Sequence, residues 1–244
     1  MQWLREMWTK EGPGISKNAP KKTGLALFGQ TMAREGWEMV KLNILFILAA
    51  LFIVTIPAAV AATARICLTH VEDRNTYLLR DFCEAFTRYF WRATAWGLGF
   101  GAAIGLGAYA VITYAAIARD NVLLVLPLMT AVVVTVFLGV LACHLLVLMV
   151  MRNLPALTLL RLAAIASFMR PLPVMAAMLF VAALWLAHIL LYPVSVFMPA
   201  AFNFSLGMFA IVFSAHRAAE TVLDLPPEPT RSDLKPEAGQ AKHI

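Results

Sequence analysis

Four long stretches of the chain contain no Lys, Arg, Asp or Glu, and they constrain the fold more than any other feature. They cover residues 42–64, 93–118, 121–151 and 171–216. A helix needs roughly 20 apolar residues to cross the hydrocarbon core of a bilayer, and the last stretch is long enough for two crossings. The sequence therefore predicts an all-α, polytopic membrane protein with about five transmembrane helices. Hydrophobic residues make up 61% of the chain and charged residues only 14%, which also disfavours a soluble domain.

The predicted membrane domain covers residues 41–217. The preceding segment, residues 1–40, mixes apolar and basic residues, and this composition is typical of an amphipathic segment at the membrane interface. Residues 218–244 combine four prolines with charges of both signs, so we expect a disordered C-terminal tail.

A proline interrupts the first charge-free stretch, in the sequence Thr55-Ile56-Pro57. Proline removes a helical hydrogen bond and clashes with the preceding turn, so the helix must kink or break there. Two arrangements follow. In the first, the stretch crosses the membrane and the basic N-terminal segment lies opposite most other basic residues. In the second, it turns back as a re-entrant hairpin, and every basic residue except Arg119 lies on one side, as the positive-inside rule favours. Both arrangements place residues 65–92 and the C-terminus in the cytoplasm.

The segment 77–91 has the periodicity of an amphipathic helix outside the membrane spans. Its apolar face contains Leu79, Phe82, Cys83, Phe86, Tyr89 and Phe90. Such a face can rest on lipid or dock in the groove of a partner protein. We take Phe82, Phe86, Tyr89 and Phe90 as the candidate docking face. On the opposite side, Glu84 and Arg88 have the spacing of a helical ion pair.

Small residues and histidines distinguish the later spans. Gly97, Gly101 and Gly105 recur every fourth residue, a pattern that lets helices approach closely in membranes. His144 and His188 lie within charge-free stretches. An ionisable group at membrane depth suggests a role in moving protons or substrate, while a neutral histidine can simply hydrogen-bond between helices.

The sequence contains no catalytic or metal-binding motif. It has neither HExxH nor a nucleotide-binding glycine-rich loop nor a nucleophile elbow, and the spacing of its three cysteines matches no zinc site. We expect a protein that is not an enzyme and that holds no cofactor or metal. The formal net charge of +6 is explained by basic residues beside cytoplasmic helix ends, so we expect no nucleic-acid partner.

Residues 41–96 resemble the YesL-like family of bacterial integral membrane proteins, which carries the domain of unknown function 624. The resemblance rests on Lys41-Leu42-Asn43-Ile44-Leu45-Phe46, on Thr55-Ile56-Pro57 followed by small residues, and on Arg80-Asp81-Phe82 before an aromatic run. Asn43, Thr55, Pro57 and Asp81 are the family-motif residues, and we expect structural roles for them. The N-terminal extension before the first span is longer than is usual in the family.

The resemblance implies a protein of the bacterial plasma membrane associated with carbohydrate uptake. Members of the family look like integral membrane proteins that are often associated with ATP-driven sugar importers. We therefore expect an accessory or regulatory partner of such an importer, whose own partners are the lipid bilayer and the permease subunits. The alternative is a small transporter or channel that works by itself. The oligomeric state and the identity of any substrate do not follow from the sequence.

Overall fold

The structure is a computed structural model that describes residues 24–118 and 121–224. Within these ranges the chain forms seven α-helices and no strands. The helices are α1 (Leu25–Ala49), α2 (Ile56–Val71), α3 (Leu78–Ile117), α4 (Val125–Met151), α5 (Ala156–Met169), α6 (Pro171–Leu190) and α7 (Phe204–Leu223). Short 3₁₀ turns precede α2 at Ile53–Thr55 and α4 at Val122–Leu124, and a π-helical turn precedes α7 at Pro199–Asn203. The predicted all-α fold is confirmed.

Five helical segments are long and apolar enough to cross a membrane: Ile53–Val71, Leu78–Ile117, Val122–Met151, Pro171–Leu190 and Pro199–Leu223. The shorter α5 is apolar without reaching that length. The number of candidate spans agrees with the number predicted from the charge-free stretches.

The chain reverses direction in the first apolar stretch. Helix α1 ends at Ala49, and Pro57 lies in the first turn of α2, where a missing backbone N–H costs nothing. The Thr55 hydroxyl closes the turn, since it lies 2.6 Å from the carbonyl oxygens of both Ala49 and Phe52. At the other end of the pair, Glu35 Oε2 and His70 Nδ1 are 3.7 Å apart. Residues 35–71 therefore form a helical hairpin, whose tip exposes the apolar residues Leu51, Phe52, Ile53 and Val54.

Helix α2 lies at the centre of this part of the protein because its side chains are small. Its residues Ala58, Ala59, Ala61, Ala62 and Ala64 are fully buried. Small residues let helix backbones approach closely, which is how helices associate where lipid supplies no hydrophobic drive. The antiparallel α3 comes close enough at Gly97 that a Cβ there would lie 2.7 Å from the Pro57 Cβ.

The predicted amphipathic helix 77–91 is not a separate element. Helix α3 runs without interruption from Leu78 to Ile117, about 60 Å at 1.5 Å per residue, whereas the hydrocarbon core is about 30 Å thick. No proline or glycine occurs between residues 78 and 96 to end the helix. Helix α4 ends near Tyr89, whose hydroxyl donates to the Val150 carbonyl at 3.3 Å. The first half of α3 therefore extends past the end of its neighbour.

Helices α6 and α7 form a second antiparallel hairpin at the C-terminal end of the described chain. A Cβ at Gly207 would lie 3.2 Å from the side chain of Val181, and the rings of Trp185 and Phe204 are 5.3 Å apart. Helix α7 continues to Leu223, and Val222 is buried. The tail predicted to be disordered from residue 218 is therefore helical as far as 223, because Ala218, Ala219 and Val222 are buried against the bundle. Residues 225–244 and 1–23 lie outside the described residues.

Candidate functional site

Asn43 joins the first hairpin to the last helix. Its Nδ2 donates to the carbonyl oxygens of Pro199 at 2.8 Å and Ala200 at 2.7 Å. Its Oδ1 accepts from the backbone N–H groups of Phe204 at 3.0 Å and Ser205 at 3.1 Å. The pairs 199/204 and 200/205 are the i, i+5 positions of a π-turn, so one side-chain amide bonds to carbonyl and N–H groups on both sides of the irregular backbone. Asn43 is fully buried and makes all four hydrogen bonds that its amide allows.

The other family-motif residues also occupy the ends of helices. Thr55 and Pro57 form the turn between α1 and α2 described above. Asp81 lies at the start of α3, where its Oδ2 accepts from the Tyr77 N–H at 2.9 Å and its Oδ1 lies 3.1 Å from Arg80 Nε. A carboxylate is favourable in the first turn of a helix because the free N–H groups there carry partial positive charge. The structure thus places all four motif residues where they hold the backbone.

Two residues of the candidate docking face are buried in the protein, and the other two are partly accessible. Phe82 is 4% exposed and Tyr89 8% exposed, because this side of α3 packs on the chain's own helices, so these two residues are not available to a partner. Phe86 and Phe90 are half-buried, and Trp91 is exposed. The remaining apolar surface, which we call the aromatic flank, consists of Leu79, Cys83, Phe86, Phe90 and Trp91. Its rings contact each other in sequence, with centroids 5.8 Å apart for Phe86–Phe90 and 5.3 Å for Phe90–Trp91.

The predicted glycine ridge packs at one position only. Gly97 meets Pro57, but a Cβ at Gly101 or Gly105 would have no other atom within 4 Å. The close approach of α3 and α4 occurs instead at Gly107, where a Cβ would lie 2.3 Å from Thr135 Oγ1. Within the described chain, Gly101 and Gly105 therefore do not pack against a neighbouring helix as predicted, because both lie on an exposed side of α3.

The two candidate intramembrane histidines have structural partners. His144 is fully buried, with its Nδ1 3.1 Å from the Val140 carbonyl oxygen and 3.2 Å from Ser167 Oγ. His188 lies in the last turn of α6 rather than near the middle of a span. Its Nδ1 is 3.1 Å from Ser195 Oγ, and that hydroxyl donates back to the His188 carbonyl at 2.8 Å. Both histidines therefore tie neighbouring segments together.

An ionic cluster that sequence reasoning missed lies where α2 and α7 end. Glu72 pairs with Arg74 at 3.0 Å and lies 3.9 Å from His216 Nε2. His216 Nδ1 is 3.5 Å from a carboxylate oxygen of Glu220. The i, i+4 spacing of His216 and Glu220 was visible in the sequence, but the contact with Glu72 joins residues far apart in the chain. Among the described residues no group of side chains has the arrangement of a metal site.

A polar cavity of about 200 Å³ lies between α2 and the first half of α3. It is lined by Arg65, Ile66, Thr69, Asp81, Glu84, Ala85, Arg88 and Tyr89. Arg65 Nη1 lies 3.3 Å from the Val150 carbonyl oxygen, so the cavity opens at the depth where α4 ends. Two guanidinium groups, two carboxylates and two hydroxyls thus surround one small space. Two other cavities between the described helices are lined mainly by apolar side chains.

Five apolar helical segments of spanning length, with polar side chains clustered near their ends, define a polytopic α-helical membrane protein. Residues 39–110, less than a third of the chain, match a family described as "Protein of unknown function, DUF624". This is the YesL-like family, so the resemblance that the sequence predicts is confirmed over this segment. The segment contains Asn43, Thr55, Pro57 and Asp81. No curated protein and no solved structure matches the chain.

Proposed function

We propose that the protein is an accessory subunit of a membrane transport assembly and that its partners are permease subunits of an ATP-driven sugar importer. The carbohydrate part of this proposal rests on the family resemblance. The structural support is the aromatic flank of α3, an apolar surface beyond the end of α4 that the described chain leaves open. A protein of this kind would act by binding rather than by catalysing a reaction.

The flank has the properties of a docking surface for a protein. Trp91 is 80% exposed and Leu79 63% exposed, while Phe82 and Tyr89 on the adjacent side anchor the same helix to the bundle. A partner would therefore meet a helix that is already ordered, which lowers the entropic cost of association. Exposed aromatic side chains on a rigid support are the residues that most often dominate binding energy.

We also propose that the ends of the chain lie in the cytoplasm of a bacterial cell. The hairpin of α1 and α2 brings residues 35 and 71 to the same side, and Glu72 lies beside His216 near the end of α7. With both ends on one side, every basic residue except Arg119 belongs to that side. Positive charge marks the cytoplasmic face. The first stretch then enters the bilayer as a re-entrant hairpin, and the other four candidate spans cross it.

Co-purification tests the accessory role. The double substitution Phe86→Asp with Trp91→Asp should release the importer subunits while the protein stays inserted and folded, because neither residue belongs to the fully buried core. Leaving a charge without a partner in a buried interface costs several kcal/mol, and about 1.4 kcal/mol already lowers affinity tenfold. The protein would be isolated from its native membrane with mild detergent, and its stoichiometric partners identified by mass spectrometry.

The matched control is Leu157→Asp. Leu157 is also 80% exposed and lies in the first turn of α5, but it is outside the aromatic flank, so this variant should keep its partners. If the wild-type protein purifies with no stoichiometric partner and moves a solute by itself in liposomes, the accessory role is wrong and the stand-alone transporter replaces it.

A further inference from the structure

The polar cavity between α2 and α3 contains charged groups that are held apart rather than paired with each other. Glu84 and Arg88 have the spacing of a helical ion pair, yet among the described residues there is no ion pair between them and none that involves Arg65. Asp81 is engaged by Arg80 and by the Tyr77 N–H. One carboxylate and two guanidinium groups therefore face the cavity with most of their hydrogen-bonding capacity unused.

The two hydroxyl groups of the cavity can only accept hydrogen bonds from a ligand, because each already donates its own hydrogen. Thr69 donates its hydrogen to the Ile66 carbonyl at 2.7 Å, and Tyr89 donates to the Val150 carbonyl at 3.3 Å. Each hydroxyl has a single hydrogen, so both oxygens remain as acceptors. The cavity thus combines an acceptor set, formed by Glu84, Thr69 and Tyr89, with a donor set, formed by Arg65 and Arg88.

The location of the cavity narrows the choice of ligand. The Arg65 guanidinium and the Tyr89 hydroxyl both reach the carbonyl of Val150, next to the end of α4. Nearby, Arg92 hydrogen-bonds Asn153 and Leu154 just beyond that end. With α4 as a membrane span, its end marks the level at which the hydrocarbon gives way to lipid headgroups.

We propose that the cavity binds a compact zwitterion that carries a phosphate group and a primary ammonium group. The phosphate would lie between Arg65 and Arg88, since guanidinium groups bind phosphate through paired, charge-assisted hydrogen bonds. The ammonium would donate to Glu84, Thr69 and Tyr89. A purely anionic ligand would meet the uncompensated carboxylate of Glu84, and a quaternary ammonium would have no N–H to donate. Phosphoethanolamine has both groups, either as the headgroup of a phospholipid or as a free molecule.

Lipid selectivity measured on the full chain tests the proposal. The purified protein would be exchanged into mixed micelles that contain phosphatidylethanolamine, phosphatidylglycerol or phosphatidylcholine, and retained lipid would be counted by native mass spectrometry. We expect phosphatidylethanolamine to be retained at about tenfold lower lipid concentration than the other two, the ratio that corresponds to 1.4 kcal/mol. Free O-phosphoethanolamine, titrated into lipid-free protein in detergent, distinguishes the two sources of the headgroup.

Two substitutions separate the two halves of the site. Arg88→Gln should weaken retention of all phosphate-bearing lipids. Glu84→Gln should selectively weaken phosphatidylethanolamine, so that phosphatidylglycerol is then retained equally well or better. Both side chains are exposed, so the fold should tolerate these changes. Arg217→Gln is the matched control, since it removes the same charge at an exposed position of α7 outside the cavity and should leave selectivity unchanged.

Each outcome decides the question. Selective retention of phosphatidylethanolamine that depends on Glu84 supports a lipid headgroup, whereas binding of free O-phosphoethanolamine without lipid selectivity supports the same chemistry from a soluble source. Equal retention of the three lipids by the wild-type protein, together with no binding of free O-phosphoethanolamine, would overturn the proposal. That comparison needs no variant and is independent of whether the protein has a transport partner.

Discussion

Replacing Asn43 should destabilise the protein more than any other single polar substitution in the first hairpin. In Asn43→Leu, two carbonyl oxygens and two N–H groups around the π-turn would lose their hydrogen bonds at once. Hydrogen bonds between membrane helices contribute on average about 0.6 kcal/mol each, so four of them give a loss of about 2.4 kcal/mol. The loss should be larger for any of these groups that keeps no other partner, because such a buried group costs about 1–3 kcal/mol and Asn43 itself is 0% exposed.

Reversible unfolding in mixed micelles measures this difference. The free energy of unfolding would be determined by titration with sodium dodecyl sulfate, with helical content as the signal. Asn43→Asp provides the sharper test. Aspartate keeps the shape and the acceptor oxygens of the amide, but it replaces the Nδ2 donor with an oxygen beside the carbonyls of Pro199 and Ala200. We therefore expect it to be at least as destabilising as leucine at neutral pH.

The control is Asn121→Leu. Asn121 is exposed and its side chain accepts one hydrogen bond, from the Leu123 N–H at 3.1 Å, so its loss should cost about 1 kcal/mol. If Asn43→Leu unfolds at the same surfactant concentration as the wild type or as Asn121→Leu, then the four hydrogen bonds do not stabilise the fold, and the role assigned to Asn43 is wrong.

Three further predictions concern the helices around this residue. Gly101→Leu should change the free energy of unfolding by less than about 0.5 kcal/mol. Gly107→Leu should lower it by about 1–3 kcal/mol, because the new side chain collides with Thr135. Equal effects of the two substitutions in the same titration would contradict the packing of α3. Thr55→Val should cost about 1 kcal/mol, since the hydroxyl hydrogen that lies between the Ala49 and Phe52 carbonyls is lost while the Phe52 carbonyl keeps the Thr55 N–H. An unchanged midpoint would show that the turn does not need the hydroxyl. Single cysteines would be introduced at positions 17, 74 and 121 of a variant that lacks the native cysteines. In intact cells, those at 17 and 74 should be protected from a membrane-impermeant thiol reagent, and the one at 121 should be labelled. External labelling at 17 or 74 would refute the hairpin topology.

The class of protein and the break in its first apolar stretch follow from the sequence alone. Charge is excluded from residues 42–64, 93–118, 121–151 and 171–216 because each charged side chain in hydrocarbon is costly, and that cost does not depend on neighbouring helices. The break at Pro57 is equally local, since the ring clashes with its own preceding turn. For the same reason, the helical character of residues 78–91 was predictable from periodicity, and the structure retains it within a longer helix.

Only the tertiary structure decides which side of each helix is covered. In a membrane, lipid and protein both solvate apolar side chains, so hydrophobicity does not separate an interior position from a lipid-facing one. Gly97 and Gly101 look alike in the sequence, but only Gly97 meets another helix. Phe82 and Phe86 share one periodic face, yet only Phe82 is buried.

The sequence likewise does not show which polar residues form hydrogen bonds with partners far away in the chain. Nothing near Asn43 in the sequence indicates that its four partners lie between residues 199 and 205, or that Arg65 and Arg88 border one cavity. The direction of the chain after Ala49 was likewise left open, because charge counting allowed both a crossing and a hairpin. The contact between Glu35 and His70 shows that α1 and α2 run antiparallel, because a helix pair joined by a short turn returns to the level at which it began; the position of this hairpin in the bilayer stays a proposal.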